Sequence, residues 1–205
     1  MNKPFKILLT VFLFAFSTSL TFSQNYRTKE IKSSFNKQQI NDLKVIVNFF
    51  TVEIRENEND DFVAAFEKIL PKLNESGFTP ILETLDFEKQ KQMYKQISPD
   101  TFGEIWTFGK SRYRGDSITY KSIGFKYSGS YFQFLEKLGK TQPVLEKYYK
   151  DCMDSGSVES YPYLQYNIKQ LPDQFDLSDF NIQLLISVHY LTVNDENKRK
   201  ERWDK

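Results

Sequence analysis

The chain has 205 residues, 28 Lys and Arg against 27 Asp and Glu, a formal charge of +1 and 40% hydrophobic residues. Near-neutrality removes the electrostatic case for a nucleic acid or an anionic membrane surface as partner. The only cysteine is Cys152 and the only histidine is His189, so no intramolecular disulfide is possible and a zinc site would need mostly carboxylates.

The N-terminus has the parts of a secretory signal. Lys3 and Lys6 precede an apolar run from Ile7 to Phe16, and Thr21 and Ser23 stand at −3 and −1 to a cut before Gln24. Ser17, Thr18 and Ser19 interrupt the run before the length of about 20 apolar residues that a spanning helix needs. Cleavage would remove Lys3 and Lys6 and take the formal charge from +1 to −1. The expected organisation is a signal peptide over 1–23, a flexible lead-in over 24–34 and a single mainly helical domain over 35–205. The product is expected to be exported, periplasmic or extracellular, with no membrane span after cleavage.

Asn36 and Gln39 have capping-box spacing, Phe35 can staple to Ile40, and Ile40, Leu43, Val47, Phe50 and Ile54 continue at helical period. After the acidic break at 56–61, Asp60 or Asp61 can cap a helix carrying Phe62, Phe66, Ile69 and Leu73. Pro71 should kink it or start a last turn, and Gly77 should end it. Thr79-Pro80 opens a third stretch that runs to Ile97 with a break near Asp86.

From Ser98 to Gly129 glycines recur at 103, 109, 115, 124 and 129, which argues against one continuous helix. Ile118, Tyr120 and Ile123 fit a strand, so a small β-hairpin near 104–127 and short helices joined by turns both suit this segment. Helical pattern returns at Phe132, Leu135 and Leu138. Pro143 opens another helix that Gly156 closes, and 157–174 reads as a loop with at most short helical turns. The last helix starts at Ser178 and is apolar on most sides from Ile182 to Val193, which places it in the middle of the fold. The fold class is therefore mainly α, one irregular domain of about six helices with room for the hairpin.

No residue set commits the chain to a reaction, and no cofactor or metal is expected. His189 lies among Ile182, Leu185, Ile186 and Val193, where a core histidine is favoured over a general base. Cys152 continues the pattern Leu145, Tyr148, Tyr149 and reads as a small buried side chain. Asp173, Asp176 and Asp179 could form a carboxylate pair for hydrolysis, although acids at a helix start also satisfy its N–H groups. Glu56, Glu58, Asp60 and Glu67 have calcium-loop spacing without the turning glycine. Arg114-Gly115-Asp116 matches an adhesion tripeptide, a match short enough to arise by chance.

The compositional peculiarity is aromatic. Trp106, Phe108, Tyr113, Tyr120, Phe125, Tyr127, Tyr131 and Phe132 are interleaved with Arg112, Arg114, Lys121 and Lys126. Rings of this kind fill a disulfide-free core or form a binding surface. Trp106, Tyr113 and Tyr120 are the candidate binding residues. The leading functional expectation is a non-enzymatic domain that binds another macromolecule, a protein or a glycan and not nucleic acid. The alternatives are a small-ligand or glycan module built on 102–134 and a carboxylate-based hydrolase.

Overall fold

The computed structural model describes residues 26–112, 115, 117–156 and 164–203, and the expected signal segment 1–23 lies outside them. Helix α1 (Lys29–Ser34) occupies what the sequence suggests is a flexible lead-in. Thr28 caps it, accepting from the Ile31 N–H at 3.2 Å and donating to Asn181 Oδ1 at 2.8 Å. A helix this short is unstable alone. It forms because Ile31 is fully buried and because Lys137 bonds the Ser33 carbonyl at 2.8 Å.

Helix α2 (Lys37–Ile54) starts at the expected capping box, with Gln39 N to Asn36 Oδ1 at 3.0 Å and Asn36 N to Gln39 Oε1 at 2.9 Å. Asp61 caps α3 (Phe62–Ser76), which continues through Pro71 to a C-cap at Gly77 (φ 60°). The third expected stretch divides at Leu85–Asp86 into α4 (Thr79–Thr84) and α5 (Phe87–Gln96), because Asp86 accepts from Glu88 N and Lys89 N and starts a new helix. Ser98-Pro99 opens a further helix, α6 (Pro99–Ile105). Asp42 in α2 fixes that start, accepting from Ser98 N, Ser98 Oγ and Thr101 Oγ1 at 3.0, 2.7 and 2.6 Å.

An antiparallel hairpin follows, β1 (Trp106–Ser111) with β2 (Tyr120–Phe125). It lies within the segment where the sequence allows one. Helix α7 (Ser130–Gly139) begins against Glu104, whose carboxylate accepts from Ser130 N and Oγ. The chain passes so close there that a side chain on Gly129 would collide with the Glu104 backbone. Helix α8 (Pro143–Ser155) ends at left-handed Gly156, as expected, and α9 (Leu164–Gln170) lies within the expected loop.

Helix α10 (Phe180–Lys198) runs through the centre, with every residue from Phe180 to Asp195 buried. It starts two residues later than Ser178, because Asp179 supplies the cap through Asn181 N. The chain is thus mainly helical with a small hairpin, but it has ten α-helices among the described residues rather than about six. Caps at Asp86 and Ser98 account for two of the extra pieces. No described helix is long and apolar enough to cross a membrane.

Candidate functional site

The hairpin is seated in the core by one face and open on the other. Trp106, Ile123 and Phe125 are at most 2% exposed and point inward, whereas Thr107 to Ser111 are all exposed. The Lys126 N–H to Ile105 carbonyl bond of 2.9 Å sets the ladder, so residues 107, 109 and 111 bond to β2. The backbone groups of Phe108 and Lys110 consequently face away from β2.

On the outer edge of β2, the C-terminal segment adds as a further extended strand. Lys121 N donates to the Glu201 carbonyl at 2.8 Å, and Trp203 N donates to the Thr119 carbonyl at 2.9 Å. This segment is held in place by Arg199, whose guanidinium makes two 2.6 Å bonds to buried Asp195 and one of 2.9 Å to Glu201. Arg199 also lies between the Phe87 and Phe108 rings, at 5.3 and 4.8 Å from their centroids.

The fold therefore gathers cations from two distant stretches. Lys110, Arg112 and Lys126 from the hairpin and Lys200 and Arg202 from the C-terminal segment are all exposed. Lys110 and Lys121 are direct cross-strand partners, a like-charge pairing that weakens a hairpin unless something answers it. Glu201 answers Lys121 at 3.6 Å, and the Lys110 ammonium lies 5.2 Å over the Trp203 ring. A groove of about 490 Å³ crosses this end, with small side chains at Thr107, Gly109, Ser111, Ser122 and Gly124 and with Arg112, Tyr127 and Glu196 at its margins.

Most of the described rings in the aromatic segment are buried. Trp106 is 1% exposed, and its indole N–H bonds Thr192 Oγ1 at 2.8 Å beneath Tyr94 and Phe102. It is a core residue that no ligand can stack on. Tyr120 is half-buried at the end of β2, where its backbone bridges Arg202. Tyr113 lies outside the described residues, as do Arg114 and Asp116. Phe125, Tyr131, Phe132 and Phe134 are buried too. Large rings in this segment serve the core, because a chain without disulfides depends on buried apolar area. Exposed Phe108 and the cations around it carry the surface instead. Spacing alone did not single out Lys110, Arg202 or Trp203, since what joins them is a pairing between distant strands.

The groups that could do chemistry are enclosed or engaged. His189 is fully buried, its Nδ1 3.1 Å from the Tyr148 hydroxyl, and burial pushes its pKa down to about 3. Burial raises the Cys152 thiol to about 12, which leaves it protonated and inert. Asp176 bonds Ser178 through N and Oγ, which holds its carboxyl below the usual range, while burial raises Asp179 at the α10 cap. Asp60 is bonded to Lys68 at 2.6 Å and to Asn57, not arranged around a cation. No group of three or more potential metal ligands occurs among the described residues. Comparison with protein families, with curated proteins and with solved structures finds no match to this chain.

Proposed function

We propose that this chain is an exported, non-enzymatic binding domain that holds a partner protein at its hairpin end. The observation that carries the reading is the open edge of β1, solvent-exposed from Thr107 to Ser111 and bordered by Lys110 and Arg112, on a hairpin anchored through Trp106. A rigid, exposed strand edge offers main-chain hydrogen bonds without needing a deep pocket. The seclusion of His189 and Cys152 supports binding over catalysis, and the turn formed by Asp176 and the cap formed by Asp179 take support from the hydrolase alternative.

Export rests on the signal pattern at 1–23, and the product is periplasmic or extracellular in this reading. The test is a photo-cross-linking residue at Ser111 in the native cell, with one at exposed Glu75 in α3 as comparison. A discrete protein adduct from position 111 alone is the expected result. No adduct there, or adducts from both positions alike, would overturn the reading.

A small ligand or glycan is the second reading. The groove favours it, since about 490 Å³ falls within the usual range for ligand sites. Its lining mixes small residues with Ile123, Phe125 and Tyr127, and polar recognition would rest on Lys110, Arg112 and Glu196. A carbohydrate-staining adduct at Ser111 would move the balance to this reading.

A further inference from the structure

We infer that an extended acidic segment of the partner adds as a strand along the open edge of β1. The inference rests on the binding-domain reading above and specifies its chemistry. The molecule itself supplies the precedent on the other side of the hairpin. There the C-terminal segment pairs with β2 through its backbone and sets Glu201 against Lys121. The β1 edge has the same outward backbone groups, at Phe108 and Lys110, and no described residue pairs with them.

Side-chain alternation then dictates what fits. A residue placed beside Lys110 shares a face with Lys110 and Lys121, where two ammonium groups are direct cross-strand partners. A carboxylate there would stand beside Lys110 as Glu201 stands beside Lys121 on the far strand. Two residues along, the neighbour is Phe108, 39% exposed, which favours an apolar side chain. Thr107, Gly109 and Ser111 occupy the opposite face and leave room for almost any residue. The pattern selected is acidic and apolar residues alternating at a spacing of two.

Charge also decides between possible occupants. A second copy pairing through β1 would bring a strand carrying two more cations, Lys110 and Arg112, to an edge that is already basic. A lysine on an edge strand discourages neutral and basic strands and so selects for an acidic one.

The test uses the exported chain and two blocked peptides, Thr-Val-Thr-Glu repeated twice and the same peptide with Lys for Glu, with dextran sulfate as a polyanion lacking amides. Calorimetry should show binding of the acidic peptide and at least tenfold weaker binding of the basic one. Lys110→Gln removes the charge, while Lys110→Pro removes the charge and the outward N–H. Proline is tolerated on an outward-facing edge position, and Gly109 before it accommodates the ring. Lys110→Pro should therefore bind at least tenfold more weakly than Lys110→Gln. In the unmodified chain, the amides of Phe108 and Lys110 should become protected from hydrogen exchange when the peptide binds.

Equal binding by the two variants, with both amides unprotected, would overturn strand addition and leave the broader reading to the Ser111 adduct. Binding of dextran sulfate without the acidic peptide would overturn it in favour of a glycan, and so would count against the protein-partner reading as well. Failure of every probe overturns the inference, and an adduct at Ser111 would then show that a protein docks by another mode. Should Lys110→Pro unfold, the exchange result alone decides.

Discussion

The helices α2 to α5 and the basic hairpin end use their charges in opposite ways. In the first, Asp61 and Asp86 cap helices, Asp42 organises the start of α6, and Glu53, Glu56 and Asp60 pair with Lys89, Lys72 and Lys68. At the hairpin end, Lys110, Arg112 and Arg202 lie exposed along strands whose stability comes from Trp106, Ile123 and Phe125 beneath them. Charge committed to caps and ion pairs is structural. Charge laid over a separately anchored strand is available to a partner. A net charge near zero conceals this division, because a sum does not distinguish charges engaged in caps and ion pairs from exposed ones.

The sharpest way to break the comparison is to remove the anchor. Trp106→Ala should cost about 3–5 kcal/mol, as for other buried large-to-small changes, measured by urea unfolding. The same reasoning warns against excising 102–134 as a test of binding, since that segment contributes Phe125, Tyr131, Phe132 and Phe134 to the core.

Acid should act next most strongly, through His189. Its folded pKa, about 3, lies below the unfolded value near 6.5, so the unfolded chain binds the extra proton between those limits. Stability should therefore fall as pH drops below about 6.5, by up to about 1.4 kcal/mol per unit. Urea midpoints measured from pH 7 to pH 4 should show this slope, and His189→Gln should flatten it.

Asp42→Asn should cost about 1–3 kcal/mol, the usual penalty for weakening a buried hydrogen-bonded group. Although burial opposes ionisation, the bonds from Thr101 and Ser98 prevail and hold its carboxyl below the normal range. Its contribution is thus present above about pH 4 and lost as pH falls through the lowered folded value. The smallest effect belongs to the other region. Lys110→Glu with Arg112→Glu should change stability by no more than about 0.5 kcal/mol while abolishing binding of the acidic peptide. A large loss of stability in that double variant would show that the basic end is structural after all.

Local signals determined much of the architecture. The Asn36–Gln39 box, the Asp61 cap, Pro80 and Pro143 at helix starts and Gly156 at a helix end each act within one turn of backbone, so their outcome is decided by neighbours in the chain. The all-round apolar stretch from Ile182 to Val193 likewise announced a central helix, because hydrophobic residues on every side leave no face for solvent. Only the tertiary structure could decide the rest. Helix α1 exists because Ile31 finds a core. Trp106 is buried because Thr192, far along the chain, takes its N–H. The cations of the hairpin end come from two distant stretches because residues 199–203 pair with β2. Each of these depends on contacts between segments distant in sequence, and the free energy of such contacts is set by where the whole chain places its apolar surface.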